Sequence, residues 1–374
     1  MRSTLIAVTL SVFGVSTALA QAPAAPEAPT DVAVRTQGPG TKAAEDSRYK
    51  AEIASCQNTH PPDPDAPRPP RPRPTGPTYQ APDSVEAIDG VVKAGAQWRQ
   101  VWTESGNNAD GIVGLPDGSV LVAQQDNSDV VSVDPKGNAK VVYSDTNTGG
   151  AVSVNKKGQV FVVERGYQQS IQELAPEHKV LADKYKGDSL DCVSMLNDLT
   201  AASNGGVYFS FGKLYYAAPD GTVTQQGDIK AFTNGIILSA DEKTLYVTDG
   251  ANLDAFDVQS DGSLGNQRTF AKLTGGGDGS TIDSDGRIYV TANTVIDVIS
   301  PKGELLGVIP VPKGDAAISV AFGGPGKHTL YCVALNKKFH HGSLGLVSDH
   351  LQGGQAGELI GIRLQSHGYT GRDK

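Results

Sequence analysis

The chain has 374 residues, a formal net charge of −9, 38% hydrophobic residues, 44 Gly and 22 Pro. That length holds one large domain or two ordinary ones, and the glycine and turn content favours β structure. An acidic balance argues against a nucleic-acid backbone as partner, since phosphate binding needs clustered Lys and Arg to displace counterions.

The first stretch, "MRSTLIAVTLSVFGVSTALA", has one early cation at Arg2, an apolar run from Leu5 to Val15 and a small-x-small ending at Ala18 to Ala20. This predicts a secretory signal peptide over residues 1–20, because the apolar run is shorter than the roughly 20 residues a membrane span requires. No later segment is apolar enough to span a bilayer, so the expected location is exported, periplasmic or extracellular. Residues 21–83 are expected to form a Pro-rich extension. "KAAEDSRYKAEIASCQ" suits a short helix near 41–56, and "HPPDPDAPRPPRPRPTGP" suits only a stiff extended linker, because each Pro removes a donor and restricts φ. Three cysteines occur, Cys56, Cys192 and Cys332. Cys332 lies in the apolar run "HTLYCVAL", where a buried thiol is the default, so Cys56 with Cys192 is the expected pair.

From about residue 98 the pattern is uniform. Short apolar stretches are split by hairpin signals in "LPDGSVLVAQQ", "NKKGQVFVVER", "SNGGVYFSF", "ADEKTLYVTD", "SDGRIYVTA" and "GPGKHTLYCVA". The turns fall at Gly118, Gly158, Gly205, Glu242, Gly286 and Gly326, a spacing of about 40 residues, as four-stranded propeller blades require. An all-β, six-bladed β-propeller over 84–374 is the predicted architecture. "AQWRQVWTE", near residue 100, would add an outer strand to the final blade and close the ring.

Eight residues before each turn stand Asp110, Gly150, Asn197, Asn234, Asp278 and Ile318. Equivalent positions at the start of the innermost strands converge on one mouth of the channel, so two carboxylates and two carboxamides would share a small space. Paired carboxylates need a cation or a shared proton. An all-oxygen set suits one hard divalent ion, Ca2+ first, then Mg2+ or Mn2+, with Zn2+ less favoured without His or Cys. The competing reading is local: Asp-Gly and Asn-Gly are common turn dipeptides.

"LNDLTAASNGGVYF", "TNGIILSADEKTLYVTD", "AFDVQSDGSLGNQRTFAKL" and "GGGDGSTIDSDGRIYVTA" resemble the gluconolactonase and senescence-marker-protein (regucalcin) family over about residues 105–335. The resemblance implies a six-bladed propeller with one divalent metal, usually Ca2+, and hydrolysis of lactones or other esters by several members. It places the family's Asn and Asp ligands on Asn197, Asn234 and Asp278. Asp110, in "ADGIVG", stands where the family has Glu, so that ligand is kept with a shifted ion or lost. Gly150 replaces an Asn found in many members, which is expected to open the mouth there. Met195 replaces an Arg found in some sugar-lactone hydrolases, so a sugar substrate does not carry over. Thr233 replaces the family's Pro with little chemical consequence.

The expected function is therefore metal-dependent hydrolysis of a small lactone or ester. The ion would polarise the carbonyl, Asp278 would serve as base or nucleophile as well as ligand, and Asp198 would brace the ligand loop. Glycine on either side of Asp278 is expected to let substrate approach. The alternative is a non-catalytic propeller that binds a metabolite or protein and keeps a structural calcium ion. Loops containing Asp188, Asp191 and Cys192, and further on His340, His341 and His350, would cover the mouth. The three histidines suit an acid, base or ligand role, or a solvated loop.

Overall fold

A computed structural model describes residues 47–59, 79–105, 109–125, 127–210, 212–336 and 356–369. The signal-peptide segment, the Pro-rich linker over 60–78, and His340, His341 and His350 lie outside the described residues.

Six antiparallel four-stranded sheets follow one another along the chain. The innermost strands of the first five are Ala109–Gly114, Gly149–Val154, Leu199–Ala201, Ile236–Leu238 and Ser280–Ile282. The sixth blade runs outward through Asp315–Gly323, Thr329–Asn336 and Ala356–Arg363. Its outermost strand is Arg99–Ser105, which pairs with Ala356–Arg363 and joins the start of the repeats to their end. Each innermost strand touches those of both neighbouring blades, and Asp315–Gly323 against Ala109–Gly114 completes the circle. The molecule is a six-bladed propeller.

The six predicted turn positions share one backbone conformation. Gly118, Gly158, Gly205, Glu242, Gly286 and Gly326 have φ of 88°, 79°, 92°, 59°, 79° and 66°. This left-handed region favours glycine, and Glu242 is held there by accepting hydrogen bonds from Ser203 N (3.0 Å) and Ser203 Oγ (2.7 Å) of the preceding blade.

Middle strands are mostly apolar and buried because each blade packs between two others. Val120–Gln124 and Val160–Glu164 are buried throughout, whereas the outer strand Ala139–Tyr143 is largely exposed. Ahead of the closing strand, Val85, Ile88, Val91 and Val92 pack with Tyr289, Ile309, Phe322 and Leu330, sealing the seam between blades five and six.

A helix spans Ser47–Ser55, and Cys56 beyond it is disulfide-bonded to Cys192, while Cys332 is a buried free thiol. Beside that bond, the Asp188 carboxylate accepts from the backbone N–H groups of Gln57, Asn58 and Thr59 and from Thr59 Oγ1. Desolvation acts to raise its pKa, but these hydrogen bonds outweigh it and bring it down to about 2.

The Asp-Gly and Asn-Gly pairs at the starts of the innermost strands are not turns. Gly111, Gly235 and Gly279 lie outside the left-handed region, and each is crowded by the next blade. A Cβ on Gly235 would sit 1.9 Å from the Asp278 carbonyl oxygen, one on Gly111 2.4 Å from Ala151 Cα, and one on Gly279 2.4 Å from Ser319 Oγ. Glycine is required because the innermost strands converge toward the channel axis. Gly235→Ala is expected to cost about 1–3 kcal/mol, the range for an overpacked interior, and to displace Asp278. An unchanged urea midpoint would contradict that packing.

Candidate active site at the channel mouth

The six register positions gather at one end of the channel, and those of blades three to six are held by hydrogen bonds within and between blades. Asn197 N donates to Ser210 O (3.0 Å), and Ser210 Oγ donates to Asn234 O (2.9 Å). Asn234 N donates to Thr248 Oγ1 (3.1 Å), and Thr291 Oγ1 donates to Gly279 O and Ile318 O (3.1 and 2.9 Å). Hydroxyls near the ends of the second strands of blades three to five thus fix the backbone that carries the polar side chains. The buried carboxylate of Asp198 accepts from Leu199 N (2.8 Å) and Ile236 N (3.1 Å), tying blade three to blade four.

On the side of blades one to three the mouth is filled. The guanidinium of Arg165, which follows the second strand of blade two, donates through Nη1 to Asp110 Oδ2 (2.6 Å) and Gln125 Oε1 (2.9 Å). Its Nη2 donates to the Asn197 carbonyl (2.6 Å) and to Asn197 Oδ1 (2.9 Å). The side chain is only 4% exposed. Gly150 leaves no opening here, contrary to the expectation above, because a Cβ at that position would meet Arg165 Cζ and Nε at 1.9 Å.

On the side of blades four to six the mouth opens into a cavity of about 680 Å3, lined by Asn234, Asp278, Asn293 and the small residues Gly276, Gly277 and Ala316. Asp278 is half-buried, and its carboxyl is pushed well above the usual carboxylate range. Desolvation is the main cause, followed by the negative charges of Asp110 and Asp198; Arg165 and a hydrogen bond from Gly279 N act in the opposite sense. The glycines flanking Asp278 serve packing rather than substrate access. A Cβ on Gly277 would lie 2.6 Å from Leu273 Cδ1, and Gly279 abuts Ser319, so Gly276 alone of the run Gly275–Gly279 has open space around its Cβ position.

Arg165, Gln125 and Asn293 were not singled out from the sequence. A second register would have found them: seven residues after the turn stand Gln125, Arg165, Asp249 and Asn293 in four of the six blades. The carboxylates of Asp191 and Asp188 accept hydrogen bonds from groups outside the six register positions. Asp191 accepts from Gln168 N (2.9 Å), and Asp188 grips the N-terminal arm.

The oxygens of Asp110, Asn197, Asn234 and Asp278 have the chemistry of a hard-cation site, but as arranged they do not fit one. Asp110 Oδ2 and Asn197 Oδ1 are already bound to a cation, the guanidinium.

The architecture and site define a class: a six-bladed β-propeller with a carboxylate-bearing pocket at one mouth of its channel. The chain belongs to the SMP-30/gluconolactonase/LRE-like family, whose pattern matches residues 126–336. A gluconolactonase of Zymomonas mobilis is 24% identical over 285 residues, covering 65% of this chain and 78% of the relative. A lactonase of Staphylococcus saprophyticus is 32% identical over 191 residues, covering 44% of this chain and 57% of its own length. Among solved structures, a calcium-binding protein, regucalcin, from Agrobacterium tumefaciens superposes with a TM-score of 0.54 at 19% identity, covering 70% of this chain and 91% of that one. That likeness is one of fold.

Proposed function

We propose that the protein hydrolyses a lactone or another small ester in the cavity at the channel mouth, with Asp278 as the base. The observation that carries this reading is the position of Asp278, a carboxyl of raised pKa on the wall of a cavity of about 680 Å3 with Asn234 and Asn293 beside it. A base works best when its pKa approaches the working pH, which desolvation among other carboxylates favours. Water would attack the carbonyl carbon as Asp278 takes its proton. The tetrahedral oxyanion would accept hydrogen bonds from the Asn234 and Asn293 amides. On collapse the carbon–oxygen bond of the ester breaks, and the departing alkoxide takes the proton back from Asp278, leaving an acid and an alcohol. Direct attack by the Asp278 carboxylate is the nucleophilic variant. The gluconolactonase and lactonase relatives support the substrate class.

Calcium, the ion for which the regucalcin is described, would suit the ring oxygens only with Arg165 displaced, so no step is routed through a metal. Export to an oxidising compartment is part of the reading. It is supported by the Cys56–Cys192 disulfide, and no helix among the described residues is long and apolar enough to cross a membrane.

The test is turnover of a panel of aliphatic lactones, sugar lactones and aryl esters, each in Ca2+ and in EDTA. Hydrolysis of at least one class, blocked by a competing non-hydrolysable ring amide, is the expected result. No turnover across the panel would sink the reading in favour of a binding propeller.

A further inference from the structure

We propose that the guanidinium of Arg165 is the resident cation of the channel mouth, standing in place of a divalent metal. The inference concerns the same ring as the hydrolytic reading but does not depend on it. Four contacts spend both terminal nitrogens of Arg165: Asp110 Oδ2 at 2.6 Å, Gln125 Oε1 at 2.9 Å, the Asn197 carbonyl at 2.6 Å and Asn197 Oδ1 at 2.9 Å. They come from blades one and three, so the arginine from blade two bridges three successive blades, as a cation ligated from several blades would. A Ca2+ about 2.4 Å from Asp110 Oδ2 and Asn197 Oδ1 would compete with the guanidinium for the same oxygens, and two positive charges that close would repel each other.

The backbone of blade two is adapted to the arginine. Gly150 stands in the ring position where four of the other five blades carry Asn or Asp, and any Cβ there would overlap Arg165 Cζ and Nε at 1.9 Å. The missing ring ligand and the inserted charge are therefore two sides of one arrangement: the glycine removes an oxygen donor and makes the room the guanidinium uses. Lysine would not replace it, because a single ammonium cannot reach two blades with a planar fork.

The test uses the full chain and Ca2+ alone as the probe, read by thermal melting and titration calorimetry at neutral pH. The parent is expected to melt within about 1 °C in 1 mM Ca2+ and in EDTA. In Arg165→Met the carboxylates lose their counter-charge, so its Tm in EDTA should fall, and 1 mM Ca2+ should raise it by about 5 °C, the shift expected for an ion at roughly a hundredfold its Kd. Gly150→Asn, which expels the side chain by its Cβ and restores an oxygen donor, should acquire the same response. One equivalent of Ca2+ bound by the parent with a comparable Tm rise would overturn the proposal. So would two folded variants as indifferent to Ca2+ as the parent. Failure of the parent to hydrolyse any ester would leave these melting results standing and would count only against the hydrolytic reading.

Discussion

Asp278→Asn is expected to lower kcat by about 10^2 to 10^4, the range attached to a positioned general base, while the fold persists and its stability at neutral pH increases. The two effects have one cause. Asp278 is desolvated and faces the negative charges of Asp110 and Asp198, with Arg165 only partly compensating, so its folded-state pKa lies above the unfolded value near 4. A carboxyl whose pKa is raised by folding holds its proton more tightly in the native state. Its contribution to stability is full below the unfolded pKa and is lost as pH rises through the folded one. The parent should therefore lose stability, relative to Asp278→Asn, as pH climbs above the unfolded value near 4, until the folded-state carboxyl has ionised. Activity of the parent should rise as pH passes through that raised folded-state value and the base becomes ionised. Turnover within tenfold of the parent would remove Asp278 from the chemistry, and identical pH–stability curves would show that its carboxyl is not disfavoured by folding.

The double substitution Cys56→Ser and Cys192→Ser is expected to cost on the order of 4–5 kcal/mol. The bond joins residues 136 apart, and a cross-link over so long a loop removes much entropy from the unfolded chain. That figure holds only if the arm stays docked without the bond, and Asp188 is what would keep it there, through its hydrogen bonds to Gln57, Asn58 and Thr59. Because folding lowers the pKa of Asp188 to about 2, this grip is complete above about pH 4 and weakens as pH falls toward 2. Proteolysis of the disulfide-free protein should therefore release the segment around Ser47–Ser55 at acid pH and spare it at neutral pH. A urea midpoint unchanged by the double substitution would mean that the bond does not restrain the unfolded state.

The blade count, the closing strand at Arg99–Ser105 and the convergence of Asp110, Asn197, Asn234 and Asp278 were legible in the chain itself. A repeat forces equivalent residues into equivalent places, and a left-handed turn selects glycine at Gly118, Gly158, Gly205, Gly286 and Gly326 with only Glu242 departing. Periodicity says where a backbone goes but not where a long side chain ends. Gly150, taken alone, marks a missing ligand and an open mouth; only packing shows that Arg165, fifteen residues later in sequence, reaches back across it to Asp110 and Asn197. Likewise the Gly after Asp110, Asn234 and Asp278 looks like a turn signal in a one-dimensional string. Its actual cause is the crowding of six strands around one axis, which no local pattern contains. The sequence by itself determined the architecture and the ring of oxygens, because both follow from a local repeat. The occupant of that ring was decided by tertiary structure, because it depends on which side chain from a neighbouring strand is long enough, and charged in the right sense, to fill the space a glycine leaves.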